Sequence, residues 1–234
     1  MEGLLAPAFW IAVGQIILID ILLGGDNAVV IALACRGLPP KQRKLGIIYG
    51  TAGAILLRVI LIAFALALLA IPYLKLVGGI LLVWIGVKLL LPQDDGDEHG
   101  NIQSSDKLWG AIKTVIIADL VMSVDNVLAI AGAAQGAGQH QLALVIFGLL
   151  VSIPIIVAGS QIVLKLMDRF PVIITAGGML LGWIAGQMIY TDPGLKQWVP
   201  ADKVYEYTAA AVGALLVLAI GKGLAARKPQ AASD

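Results

Sequence analysis

The residues best suited to chemistry in this sequence are aspartates placed inside two long apolar segments. The first segment contains DILLGGDN, from Asp20 to Asn27, and the second contains DLVMSVDN, from Asp119 to Asn126. Each motif has a carboxylate, five further residues and then Asp-Asn. A charged group within a membrane-spanning helix costs about 2.5–3.5 kcal/mol on insertion scales. Four such groups in two matching pairs therefore predict a functional site.

In the first segment, a straight helix cannot point both aspartates the same way. Asp20 and Asn27 are seven apart and lie nearly above one another, whereas Asp26 is about 100° round from Asn27. Gly24 and Gly25 stand between the aspartates, where a helix can break or kink. Unwound backbone there would expose carbonyl oxygens as further ligands. We therefore expect the first helix to be broken at Gly24-Gly25.

The second segment repeats the arrangement with a more regular backbone. Asp119, Ser123 and Asn126 share one face, and Asp125 is again about 100° from the asparagine that follows it. Ser123-Val124 takes the position of the glycine pair, so a break has less support here. We expect this second helix to form the regular wall of the site.

The composition indicates a polytopic membrane protein. Of the 234 residues, 59% are hydrophobic and 13% charged, and the mean hydropathy is +0.93. A soluble domain carries about 25% charged residues. The net charge of +1 and the lack of a basic patch argue against nucleic acid as a partner. The single cysteine, Cys35, excludes an internal disulfide and a thiolate metal cluster.

Seven apolar segments are long enough to cross a hydrocarbon layer of about 30 Å, which requires about 20 residues. Turn residues or charged residues bound each segment. We therefore predict an all-α polytopic membrane protein with seven transmembrane helices, roughly over residues 9–34, 46–69, 72–91, 109–134, 142–164, 171–190 and 208–226.

The distribution of Lys and Arg predicts the orientation of these helices. With the N-terminus outside, the cytoplasmic segments hold 12 Lys and Arg residues and the outer segments hold 3. Cytoplasmic loops of membrane proteins carry such an excess of positive charge. We expect the N-terminus outside, the C-terminus in the cytoplasm, and a location in the bacterial inner membrane.

A repeat with an offset of 99 residues divides the chain. Eight of 22 positions are identical between 16–37 and 115–136, and seven of 14 between 72–85 and 171–184. Because each copy has three helices, the second copy enters from the opposite side, which gives the inverted repeats of secondary transporters. We assign 1–92 to the first three-helix repeat, 93–108 to an acidic cytoplasmic linker, 109–191 to the second repeat, and 192–234 to an outer loop, the seventh helix and a tail.

If the two motif helices face each other, their polar groups converge on one site. Four carboxylates and two amide oxygens suit a hard divalent cation such as Mn²⁺, Mg²⁺ or Ca²⁺. Carboxylates this crowded should not all be ionised in an empty site, so metal entry would displace protons and couple transport to proton movement. The candidate metal ligands are Asp20, Asp26, Asn27, Asp119, Asp125 and Asn126.

Arg58 is a basic residue in the middle of the second apolar segment. Two roles stay open for it, a static counter-ion and a moving part of a gate. A buried polar network between Arg58 and the aspartates, serving only helix packing, is the structural alternative to a metal site. Two aspartate pairs in register at a repeat favour the functional interpretation.

No motif indicates an enzyme. The sequence has no Gly-rich phosphate loop, no HExxH, and no Ser, His and Asp set at a shared depth. We expect no tightly bound cofactor, and we treat the divalent cation as the transported substrate.

The segments ILIDILLGGDNAVVIALA and IIADLVMSVDNVLAIAGAA resemble the paired Asp-Asn motifs of the TerC family. This family belongs to the LysE transporter superfamily, and the short chain is similar to its YjbE-type branch. The resemblance covers residues 9–226 and implies seven helices, manganese export or calcium and manganese handling, and the paired Asp and Asn residues as ligands. Tellurite, after which the family is named, is an anion and a poor match to four aspartates, so tellurium resistance would be an indirect phenotype.

These features predict a divalent-cation exporter, with Mn²⁺ as the first candidate, working by alternating access of two inverted repeats. Within transport, Ca²⁺ or another divalent cation is the alternative. From other classes, the chain could deliver metal to secreted proteins at the translocon, or sense metal without moving it. The expected partners are membrane lipid and the metal ion, and self-association or association with the translocon stays open.

Overall fold

The computed structural model describes residues 7–64, 71–91, 101–134, 141–195, 198–200 and 202–227. Every regular element within these ranges is an α-helix, which confirms the predicted all-α architecture for this part of the chain. In chain order the helices are α1 (Pro7–Cys35), α2 (Pro40–Ala63), α3 (Leu74–Leu90), α4 (Asn101–Ala134), α5 (Gln141–Arg169), α6 (Val172–Tyr190) and α7 (Lys203–Arg227).

The helix bounds follow the predicted segments, but α2, α4 and α7 begin five to eight residues earlier than expected. α2 begins at Pro40, because proline suits the first turn of a helix, where no backbone donor is needed. α4 begins at Asn101, so part of the predicted linker 93–108 is helical. A helix bonds its own backbone and can continue in polar sequence beyond an apolar segment. The linker residues 93–100 lie outside the described residues.

Four helices, namely α2, α5, α6 and α7, are long and apolar enough to cross a membrane, counted over the residues whose side chains are described. Large apolar side chains such as Leu56, Val77, Ile162 and Leu215 are exposed on the helix surfaces. A soluble monomer rarely exposes so much apolar surface, whereas membrane lipid covers it. The full count of seven crossings stays a prediction.

The helices form two compact units. The first consists of α1, α2, α4 and α5 as far as Lys165, and the second of α3, α6, α7 and the last residues of α5. Each unit thus takes helices from both predicted repeats. The two units are defined by which helices pack together, whereas the predicted repeats are defined by sequence similarity. The repeat boundaries therefore stay a prediction.

In the first unit, α2 and α4 lie side by side and run in the same direction. A Cβ atom added to Gly46 would lie 3.5 Å from Leu108, and one added to Gly53 would lie 2.6 Å from Ile116. α1 runs the opposite way, because a short turn joins it to α2 and Gly46 also approaches Cys35 at the end of α1. α1 and α4 therefore contact each other as antiparallel helices.

In the second unit, glycines let the helix backbones come into contact. A Cβ atom on Gly79 would lie 2.8 Å from the carbonyl oxygen of Ala185, and one on Gly86 would lie 3.4 Å from that of Gly178. α3 and α6 are therefore antiparallel, and Gly182 brings α6 equally close to the backbone of α7. Both helix pairs predicted to be repeat equivalents, α1 with α4 and α3 with α6, run antiparallel, as an inverted repeat requires.

The buried side chain of Asp192 caps the N-terminus of α3 from the loop after α6. Its Oδ1 accepts hydrogen bonds from the backbone N–H groups of Tyr73 (2.9 Å) and Gly194 (2.6 Å), and its Oδ2 accepts one from Leu76 (3.0 Å). Burial alone raises the pKa of Asp192, but the backbone hydrogen bonds together outweigh it and hold the pKa below its ordinary value. The cap also holds Tyr73 at a φ of 66°, in the left-handed region.

We expect Asp192→Asn to lower the thermal midpoint of the purified protein at neutral pH. Because the pKa of Asp192 is lower in the folded chain than its unfolded value of about 3.9, its stabilisation is complete above that value and is lost as the pH falls through the folded pKa. The difference in midpoint between wild type and variant should therefore shrink in acid. Thermal unfolding in detergent across the acidic and neutral range measures it.

The matched control is Asp202→Asn. The exposed Asp202 carboxylate accepts a hydrogen bond from the Val204 N–H at 2.9 Å, and solvent screens its charge, so the loss should be smaller. A difference at Asp192 that stays constant with pH would contradict a stabilising role for the carboxylate charge.

Candidate functional site

A buried polar network in the first unit joins α2 to α4. The Arg58 Nη2 atom forms an ion pair with Asp119 Oδ1, and Arg58 Nε donates a hydrogen bond to Ser123 Oγ over 3.0 Å. Ser123 Oγ in turn donates to Asp119 Oδ2 over 3.1 Å. The exposed fractions are 2% for Arg58, 6% for Asp119 and 0% for Ser123. The three side chains form a closed triangle in which both oxygens of Asp119 are engaged.

Local sequence explains how these side chains meet. Asp119 and Ser123 are four residues apart on α4, so they project one above the other. On α2, Gly50 and Gly53 face α4 and bring the two helices close, since an added Cβ would lie within 3.0 Å of a side chain of α4 at each position. The long Arg58 side chain, one to two turns further along α2, can then reach across to α4.

α1 contributes Asp26 and Asn27 to the same region. The backbone N–H of Asn27 donates to Asp26 Oδ1 over 2.8 Å. The Asp26 carboxylate lies close enough to Arg58 and Asp119 to interact electrostatically with both. Residues of both Asp-Asn motifs therefore lie within electrostatic range of one guanidinium group. Their role as metal ligands stays a prediction.

The side-chain amide of Asn27 is buried without a hydrogen-bond partner among the described residues. Its exposed fraction is 3%, and neither Oδ1 nor Nδ2 is bonded. A buried polar group left unsatisfied costs about 1–3 kcal/mol. An amide oxygen is also a suitable ligand for a hard cation. The amide thus fits a site whose remaining partner is an ion or water.

The other predicted site residues are described less fully. Asn126 is half-buried on α4, three residues beyond Ser123. Asp20, Gly24 and Asp125 lie within helices, but their side chains are outside the described residues. Among the residues that are described, no three His, Cys, Asp or Glu side chains form a metal-binding cluster.

The predicted break of the first helix at Gly24-Gly25 is wrong for this structure. α1 is one continuous helix from Pro7 to Cys35, and both glycines lie inside it. Glycine permits a break but does not cause one, and in apolar surroundings a continuous helix keeps its backbone groups bonded. Gly25 is exposed, and a Cβ atom added to it would meet nothing within 4 Å.

Sequence reasoning missed Thr51 on α2. Its exposed fraction is 2%, and its Oγ1 atom has no hydrogen-bond partner within the described ranges. Thr51 precedes Arg58 by seven residues, which places both on one face of α2. That spacing is the signal that could have found it.

Comparison with known proteins places the chain in a family. The model of the integral membrane protein TerC family matches residues 5–230. The chain belongs to the TerC family. As a member, it is a multi-pass integral membrane protein, in agreement with its long apolar helices. No protein of solved structure matches the chain.

Bacterial membrane proteins are among the relatives of this TerC chain. YjbE of Bacillus subtilis is 47% identical over 178 residues, which cover 76% of this chain and 78% of YjbE. YceF of the same bacterium is 29% identical over 194 residues, which cover 80% of this chain and 74% of YceF. The inner membrane protein YgdQ of Escherichia coli is 26% identical over 180 residues, which cover 70% of this chain and 74% of YgdQ. These relatives are described as membrane proteins, and their descriptions name no substrate.

We expect Gly25→Ala to fold normally and to be as stable as wild type or slightly more stable. The added methyl meets open space, and alanine favours a continuous helix over glycine by about 1 kcal/mol. Thermal unfolding in detergent measures the change. Gly14→Ala is the matched control, because Gly14 lies on the same helix and is equally open. A clear loss of stability in Gly25→Ala alone would contradict the continuous helix.

We expect Arg58→Met to destabilise the protein by roughly 3–5 kcal/mol, because it leaves Asp119 as a buried charge without its partner. The double variant Arg58→Met with Asp119→Leu should recover most of that loss, since it replaces both ions by apolar side chains. Unfolding in denaturant measures both. A double variant as unstable as Arg58→Met would contradict the ion pair as the main interaction of Arg58.

Proposed function

We propose that this TerC-family protein exports a divalent cation, with Mn²⁺ as the first candidate, across the bacterial inner membrane. The observation that carries the proposal is the buried network of Arg58, Asp119 and Ser123, with Asp26 and the unsatisfied amide of Asn27 beside it. Ionisable groups within membrane helices belong mainly to substrate and ion pathways.

Arg58 takes part in this transport as a moving group. In the described conformation its guanidinium supplies positive charge to Asp119, the same charge that a bound cation would supply. A cation that reaches the Asp119 oxygens competes with Arg58 for them and repels it. Departure of the guanidinium would then change the packing between α2 and α4. Binding of the substrate would thereby be coupled to movement of helices.

The donor groups favour a hard cation. Carboxylate, amide and hydroxyl oxygens are the ligands preferred by Mn²⁺, Mg²⁺ and Ca²⁺, whereas soft metals prefer thiolates. The single thiol, Cys35, is buried at the end of α1 against Gly46, away from the motif. Crowded carboxylates would exchange protons for the incoming cation, which couples export to proton movement.

The proposed architecture has seven membrane crossings, the N-terminus outside and two inverted three-helix repeats. The antiparallel arrangement of α1 with α4, and of α3 with α6, supports it. Transport would then follow alternating access, in which the two repeats exchange roles around a site near the middle of the membrane.

Reconstitution into vesicles tests the proposal. We expect the wild-type protein to move Mn²⁺, and Asp26→Asn and Asp125→Asn to abolish the flux, because each substitution replaces a charged oxygen ligand with a neutral amide. Asp202→Asn, at an exposed position before α7, is the control and should keep full flux. In cells, deletion of the gene should raise the manganese content.

Other outcomes would contradict parts of the proposal. A protein that binds Mn²⁺ but never moves it across the vesicle membrane would favour metal delivery to secreted proteins, or sensing. Faster flux of Ca²⁺ than of Mn²⁺ would make Ca²⁺ the preferred substrate instead of Mn²⁺. Flux that ignores an imposed proton gradient would remove the proton coupling.

A further inference from the structure

The hydroxyl group of Thr51 is an exception among the buried hydroxyls of the described helices. Serine and threonine side chains inside helices commonly donate to the carbonyl oxygen four residues earlier. Ser152 and Ser160 on α5 do so, over 3.1 Å and 2.8 Å. Ser123 donates to Asp119. Thr51 is equally buried, yet its Oγ1 has no partner among the described residues.

Thr51 faces the interior of the first unit. It lies on the buried stripe of α2 that also carries Ile47, Ala54 and Arg58. Residues seven apart on a helix point in nearly the same direction, so the Thr51 hydroxyl projects to the side on which Arg58 reaches Asp119. Along the axis of α2, Thr51 lies about 10 Å from Arg58, toward the N-terminal end of the helix.

Thr51 also lies near the level of Asn27 on the neighbouring helix. A Cβ atom added to Gly46 on α2 would lie 3.0 Å from Cys35 Sγ on α1. This close approach sets the axial register between α2 and the antiparallel α1. With a rise of about 1.5 Å per residue, Asn27 lies about 12 Å from that contact and Thr51 about 8 Å from it. The two levels therefore differ by about 4 Å. Two buried side chains that lack hydrogen-bond partners in the described part of the chain thus come from adjacent helices at similar depth.

We propose that Thr51 Oγ1 is a further oxygen ligand of the transported divalent cation, and that it holds the ion together with the Asn27 side chain. This inference rests on the proposed function. Both groups are neutral, so they bind a hard cation without adding to the repulsion among the carboxylates. In the predicted orientation they lie on the cytoplasmic side of the Arg58–Asp119 pair. An outgoing ion would reach them first, before it displaces Arg58 from Asp119.

The test compares Thr51→Val, which keeps the shape but removes the hydroxyl, with Thr51→Ser, which keeps the hydroxyl. Binding of Mn²⁺ alone to the purified full-length protein is measured by calorimetry and by electron paramagnetic resonance. We expect Thr51→Val to weaken Mn²⁺ binding at least about tenfold, since even the loss of a group that only supports a metal ligand costs about 10- to 100-fold, and Thr51→Ser to stay close to wild type.

The midpoint of thermal unfolding distinguishes a role of Thr51 in metal binding from a role in helix packing. Thr51→Val should melt at or above the wild-type temperature, because it removes an unsatisfied buried hydroxyl. Ser152→Ala is the matched control, since it removes a buried hydroxyl that is bonded within its own helix, and it should leave Mn²⁺ binding unchanged. Parallel losses of midpoint and affinity in Thr51→Val and Ser152→Ala would overturn the inference.

The failures of the two proposals are distinguishable. Wild-type affinity in Thr51→Val, together with loss of binding in Asp26→Asn, would overturn the role of Thr51 and leave the transport site intact. A wild-type protein that neither binds nor moves Mn²⁺ would overturn the proposed function, and the inference about Thr51 with it.

Discussion

The first unit depends on one buried ion pair, between Arg58 on α2 and Asp119 on α4. Removing two charges from water costs several kcal/mol per ion, and their attraction offsets that cost only where the remaining hydrogen bonds are also made. Ser123 completes them by bonding both partners. The close approach of α2 and α4 at Gly50 and Gly53 follows from the same requirement, because a wider gap would separate the charges.

The two units differ in what their close helix contacts hold. In the second unit, glycines bring helix backbones together, and a buried carboxylate with a full set of hydrogen bonds caps α3. In the first unit, a charged network lies beside Asn27 and Thr51, whose side-chain polar atoms lack hydrogen-bond partners among the described residues. Unsatisfied groups gain free energy when a ligand supplies the missing bonds. Among the described residues, the buried side-chain atoms without hydrogen-bond partners all lie in the first unit.

Membership of the TerC family sets the environment in which this network operates. A membrane protein cannot draw on bulk water to satisfy a buried carboxylate, so an internal cation such as Arg58 is the natural partner of Asp119. Discrimination among hard cations depends on cavity size, ligand number and rigidity. For the proposed cation site, the oxygen donors alone therefore define a class of substrate rather than one ion.

The sequence by itself determined the all-α class, the approximate helix bounds and the position of the Asp-Asn motifs inside long helices, because these depend on local apolar length, helical period and turn residues. The tertiary structure decided that Asp119 bonds Arg58, 61 residues away, and that Asp192 caps a helix whose N-terminus is 119 residues distant. It also showed α1 to be continuous at Gly24-Gly25, and Thr51 to be buried without a hydrogen-bond partner among the described residues. These features depend on which helices are neighbours and in what axial register, which no local pattern encodes.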